Sequence, residues 1–255
     1  MLKPCTWSKR VAAQFIGLLL MSPCIAIALA GASAEEPPIE LTIGSAFRAP
    51  YIEPPDGGTV WSLLVDLDME PKVKFVFAAV PAARSIALAN NGVLDGDIIR
   101  SGAAGVTHTN LIRVDVAVCI IEIVAFSWQR DMKVNSFTQM SDIDDIVVST
   151  KIGRKLLQSR LQRYPNRLFV ESAEKLFSLL EQKRSDVAIL DRGTAYRVIG
   201  DRLGRTIFQV SDRPLLAREH YLYLHMKHAA LVPEIEKALS ERMAQKPLLF
   251  ERAHP

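Results

Sequence analysis

Two arginines end two near-copies of one phrase. Residues 85–100 read SIALANNGVLDGDIIR, and residues 175–192 read KLFSLLEQKRSDVAILDR. In each, an amphipathic helix, a polar turn and an Asp lead into an apolar run that stops at Arg100 or Arg192. Open α/β sheets bind ligands beyond the carboxyl ends of their strands. A guanidinium there can hold a carboxylate through two parallel N–H bonds, and a surface ion pair is the competing reading of Arg100. Arg84 falls in the first turns of a helix, where the positive end of the dipole disfavours a cation. A role in a cleft or a nearby acid would each account for it. Thr150, Lys151 and Gly153 precede another helix, and backbone N–H groups of such a loop can hold an anion. An ordinary helix entry is the plainer account. Ser172 is first a helix cap and only second a ligand contact.

Other reactive side chains are sparse. Glu122 interrupts the apolar run IIEIV. It either faces solvent on a strand edge or enters a cleft, where burial would raise its pKa and make it an acid–base candidate. His220, His225 and His228 cluster late, but in a stretch that alternates like a strand, which argues against a shared metal-binding face. Cys119 within VAVCII reads as a small core residue. No G-x-S-x-G, G-x-x-x-x-G-K or H-E-x-x-H occurs, so the usual hydrolase, NTPase and zincin signatures are missing. The expectation is no catalytic residue, no metal and no cofactor.

The first residues read as an address. Lys3, Lys9 and Arg10 precede an apolar run, and Ala32-Ser33-Ala34 offers a cleavage site, which predicts an export signal peptide over residues 1–34. An uncleaved anchor is the alternative. The chain holds 31 basic and 28 acidic residues, but three basic and no acidic ones lie in the leader. The remainder carries 28 of each, so the basic balance gives no argument for nucleic acid or an anionic membrane. Cys5 and Cys24 leave with the leader, so stability must come from cores and not from an internal disulfide.

The elements that must position the candidate residues alternate. Ile39 to Ala46 alternates as a strand, FRAPYIEPPDGG is a Pro- and Gly-rich loop, and Thr59 to Leu67 is a short helix. A strand over 72–78, a helix from Pro81 to Asn90 and a strand over 97–100 follow. Leu111 to Phe126 is a long β-like run with too many charges to span a membrane. A second set follows: strands over 145–149, 167–170, 186–190 and 207–210, and helices over 154–164 and 172–182. A strand over 220–225 and a helix over 233–244 end the chain. Crossings near 122–127 and 213–219 imply an α/β fold of two lobes, each a mixed sheet flanked by helices. The first lobe is discontinuous (35–124 and 217–255) and the second occupies 125–216.

The order of strand, Pro-rich loop with Tyr51, P-x-x-R (Pro81 to Arg84) and NGVLDGDIIR resembles the first lobe of bacterial extracellular solute-binding proteins of family 3. ESAEKLFSLLEQKRSDVAILD and HYLYLHMKHAALVPEIEKALSERM are similar to that family's second lobe and its return to the first. The resemblance implies a type II periplasmic-binding-protein clamshell, located in the periplasm and monomeric. It implies hinge closure on a small polar, carboxylate-bearing, amino-acid-like solute, which is then passed to an ABC transporter permease. It places Tyr51 as an aromatic cover over the ligand and Asp191 as an acid for a ligand amino group. Packing of Tyr51 on its prolines and pairing of Asp191 with Arg192 are the alternatives. One departure stands out: SGAAGVTHTN holds no Arg where amino-acid binders of the family carry one, so Arg100 must replace it or the ligand differs. A sensory or partner-binding domain without transport, and a dehydratase of small cyclic acids using Glu122, are the other functional readings.

Overall fold

The computed structural model describes residues 37–65, 67–128, 134–200 and 208–245. The leader over 1–34 therefore lies outside the described residues. Among the described residues, nine strands join into one mixed sheet. Its first half holds β1 (Ile39–Ser45), β2 (Val73–Ala79) and β3 (Gly96–Ser101). Strand β1 runs parallel to both β2 and β3. The second half holds β5 (Val148–Lys151), β6 (Arg167–Val170) and β7 (Val187–Asp191), with β5 parallel to both others.

Two antiparallel strands join the halves. Strand β4 (Leu111–Ser127) pairs with β9 (Leu216–His225) over Leu111 to Ile123, then with β7 over Ile123 to Ser127. Strand β8 (Gln209–Val210) adds to the far end of β4. The order β2-β1-β3-β9-β4-β7-β5-β6 gives the repeated phrases equivalent places. Strand β3 lies between a parallel β1 and an antiparallel β9, and β7 between a parallel β5 and an antiparallel β4.

The helices cover the sheet because their apolar faces match it. In α2 (Ala82–Asn90) Ala89 is buried, and it packs with Leu94, Leu111 and Tyr223. In α6 (Ala173–Glu181) Leu176, Phe177, Leu179 and Leu180 are buried at helical spacing. The Phe177 ring meets Phe126 edge to face at 5.1 Å between centroids. Ser172 caps α6 by accepting from Lys175 N at 3.1 Å. Helix α8 (Val232–Gln245) packs on β4 with Ile235 and Leu239 fully buried.

Several elements differ from the sequence expectation. Helix α5 spans only Lys155–Leu161, and the expected continuation to Tyr164 is a turn whose Tyr164 hydroxyl donates to Phe137 O at 2.6 Å. Strand β9 begins four residues earlier than its alternating pattern suggests, because pairing with β4 extends it. Four short helices join those expected or shift from them: α1 (Trp61–Val65), α3 (Ala104–Thr107), α4 (Phe137–Ser141) and α7 (Arg192–Ile199). Among these, α7 follows β7 without a loop because Asp191 ends the strand and caps the helix at once.

Candidate ligand-binding site

Strand alternation builds the floor of a cleft between the two halves. Side chains two residues apart share a face of a strand. Ile121 and Ile123 of β4 stand beside their register partners Arg218 and Leu216 of β9, and His220 follows two residues on. All five line a cleft of about 320 Å³, near the lower end for small-molecule pockets. The first half adds Phe47, Ala82, Ile99, Arg100 and Ser101, and the second Gly153, Arg154, Lys155 and Leu156. Four basic side chains line it and no acidic one does, among the described residues.

Arg100 reaches the cleft through a distortion of β3. The β3–β9 register slips between Asp97 and Arg100, and Ile99 within that slip has φ 62°. A β-branched residue is strained in the left-handed region, and such strain collects where a fold must aim side chains. Here it leaves both Ile99 and Arg100 lining the cleft. Arg100 donates from Nη2 to Asp97 Oδ2 at 2.6 Å and to Ala82 O at 2.7 Å. Asp97 is wholly buried, and its desolvation raises its pKa against the opposing pull of Arg100.

The opposite wall holds a second Arg–Asp pair, Arg154 with Asp191, and both of its members reach across to the first half. Asp191 is wholly buried, and its Oδ2 accepts from Arg154 Nη2. Its Oδ1 accepts the Tyr51 hydroxyl from the first half at 3.1 Å and the Thr194 N–H of α7 at 3.0 Å. The Arg154 guanidinium lies over the Phe47 ring at 4.8 Å, again joining second half to first. Phe47 in turn meets Tyr51 edge to face at 5.4 Å.

His220 lies among these cations. Its Nδ1 is 2.9 Å from Arg218 O. A carbonyl only accepts, so Nδ1 carries the proton and Nε2 is the acceptor of the neutral ring. Burial first, and then Arg154, Arg100 and Arg218, push the His220 pKa down to about 4, against that hydrogen bond.

The expected site residues fare differently. Arg100 lines the cleft; Tyr51 and Asp191 stand behind it, joined to each other. Asp191 therefore does not pair with Arg192. Arg192 turns instead to Glu122 Oε2 at 2.7 Å and the Tyr196 hydroxyl at 2.9 Å. Glu122 alternates with Ile121 and Ile123 and so faces away from the cleft floor. Arg84 is exposed on α2 and outside the cleft lining. Thr150 is wholly buried, its hydroxyl donating to Ile189 O at 2.8 Å. Lys151 is half-buried and outside the lining. The loop after them spends its N–H groups internally, Ile152 on Val170 O at 2.7 Å and Gly153 on Gln158 Oε1 at 3.1 Å. Ser172 is the cap of α6, away from the cleft lining.

Sequence reasoning missed Phe47, Arg154, Lys155, Arg218 and His220 as cleft residues. Arg154 carried a usable signal: it is a cation at a helix entry, the same oddity that drew attention to Arg84. The other two late histidines serve the fold. His228 Nε2 lies 2.7 Å from Asp95 Oδ1, and His225 Nδ1 accepts from Lys227 N at 3.2 Å. Among the described residues, no group of three or more His, Cys, Asp or Glu is placed to hold a metal ion.

No family model matches the chain, and no curated protein matches it. Solved structures do. The ligand-binding core of GluR0 in complex with L-glutamate superposes with a TM-score of 0.64 at 10% identity, covering 82% of this chain and 95% of that one. Holo ArgBP from T. maritima gives 0.58 at 14%, covering 79% and 89%. A histidine kinase sensor domain with similarity to periplasmic binding proteins gives 0.60 at 14%, covering 85% and 94%. The fold is therefore the two-lobed α/β type II periplasmic-binding-protein fold.

Proposed function

We propose that this protein is a periplasmic solute-binding protein, of the family-3 extracellular type, that captures a small polar, carboxylate-bearing solute between its lobes. The observation that carries the reading is the cleft where β4 and β9 cross between halves, lined by Arg100, Arg154, Lys155 and Arg218 without an acid among the described residues. The two crossing strands act as the hinge, and ligand contacts from both walls favour the closed form over the open one. Micromolar capture needs about 8 kcal/mol, which three or four charge-assisted hydrogen bonds of about 1.5–3 kcal/mol each can supply. An exported location follows from the predicted leader, and among the described residues no helix is long and apolar enough to cross a membrane. Delivery to an ABC transporter permease by a monomeric binder completes this reading.

A sensory or partner-binding role without transport is the second reading, supported by the likeness to the histidine kinase sensor domain. Both need the cleft to bind. A thermal-shift screen with amino acids, small carboxylates, short peptides and cyclic acids tests that. A ligand at about 100 times its Kd adds about 2.7 kcal/mol, a rise of several degrees. A flat screen on folded protein shown free of co-purified ligand overturns solute capture.

A further inference from the structure

We propose that the cleft takes a small organic anion with an apolar body and no cationic group, because Arg154 already occupies Asp191. The inference deepens solute capture and rests on it. Among the described residues, Asp191 is the one wholly buried carboxylate on the second wall, and three donors hold it: the Tyr51 hydroxyl, the Thr194 N–H and the Arg154 guanidinium. A buried carboxylate satisfied in charge and in hydrogen bonds has little left to offer an incoming ammonium. To reach it, a ligand cation must displace Arg154 from both Asp191 and the Phe47 ring. The first wall repeats the arrangement, with buried Asp97 held by Arg100.

The lining therefore presents only one sign of charge. An ammonium placed there meets Arg100, Arg154, Lys155 and Arg218 and no acid of the described residues. Like charges brought together in a partly desolvated cleft repel strongly, whereas a carboxylate meets complementary charge. The rest of the ligand faces Phe47, Ile99, Ile121, Ile123, Leu156 and Leu216. Those side chains reward an apolar body and give a second charged group no partner. A zwitterionic amino acid fits such a lining worse than the same skeleton without its amine, so Arg154 acts as a specificity residue through rejection as much as attraction.

Calorimetric titration with matched pairs tests this on the intact protein: leucine against methylpentanoate, phenylalanine against phenylpropanoate, glutamate against glutarate. The expected result is at least one pair whose deaminated member binds about tenfold or more tighter. An amino acid that binds as tightly as its partner overturns the inference and leaves solute capture standing. No binding by any member, together with a flat thermal-shift screen, overturns both. The Arg154→Gln variant removes the charge but retains a donor for Asp191. It should narrow the preference to about threefold or less by strengthening amino-acid binding. An unchanged preference in folded Arg154→Gln also overturns the inference, and the wild-type pairs decide it if that variant does not fold.

Discussion

Replacing Arg100 by Met removes the guanidinium while keeping a long apolar stem, and it isolates what the Arg100–Asp97 pair does for the fold. The Asp97 side chain is fully buried and that of Arg100 is 16% exposed, with 2.6 Å between Nη2 and Oδ2. Taking away one partner strands a buried charge, which costs about 3–5 kcal/mol. For a domain of this size that lowers Tm by about 6–20 °C. Desolvation already raises the Asp97 pKa, and loss of Arg100 raises it further. A carboxyl whose folded pKa lies above its unfolded value binds more protons in the native state. Its burden is therefore small at low pH and grows as pH rises through the folded pKa. The destabilisation by Arg100→Met should be larger at pH 8 than at pH 5. Adding Asp97→Asn to Arg100→Met removes the stranded charge and should recover all but about 1–2 kcal/mol, the cost of a poorly paired amide. Urea unfolding of wild type, both single variants and the double variant at the two pH values completes the cycle. A loss below about 1 kcal/mol for Arg100→Met, or one that does not vary with pH, would falsify the view that this pair is buried and coupled.

Two further outcomes follow from the same geometry. His220 is held neutral, with its pKa down at about 4 against 6.5 unfolded, so the unfolded chain takes up a proton first as pH falls. The stability that the neutral ring contributes is complete above pH 6.5 and is lost between 6.5 and about 4. It amounts to at most about 3 kcal/mol, less some screening by solvent. The stability of wild type relative to His220→Gln should fall across that window in urea titrations, and a constant difference would refute the assignment. Gly96 lets β3 approach β9: a Cβ there would lie 2.4 Å from Tyr223 O, a backbone atom that cannot yield. Gly96→Ala should cost about 1–3 kcal/mol by overpacking, measured as a lower Tm, and a neutral result would place that contact wrongly.

How much of this was legible from the sequence depended on distance along the chain. The repeated helix–turn–strand phrase was readable because its hydrophobic period and its turn residues are local. It led correctly to α2–β3 and α6–β7, and to Arg100 at a strand's carboxyl end. The same reasoning failed at Arg192. One residue's difference in where the strand stops turns Asp191 inward and sends Arg192 to Glu122. Likewise a Pro-rich loop was expected around Tyr51, but its hydroxyl finds Asp191 across 140 positions of sequence.

The sequence by itself determined the alternation of strands and helices, the long run of β4, the two-lobed α/β class and the Ser172 cap of α6. Each depends on side-chain period, backbone preference or a neighbour a few residues away. Only the tertiary structure decided which charges face the cleft. That choice depends on the β4–β9 register, which sets Ile121, Ile123, Leu216, Arg218 and His220 on one face and Glu122 on the other. It depends also on the slip at Ile99 that turns Arg100 inward, and on the meeting of Arg154 with Asp191. A buried charge must find its opposite wherever the chain brings it, and that place is fixed by packing of the whole fold rather than by any local pattern.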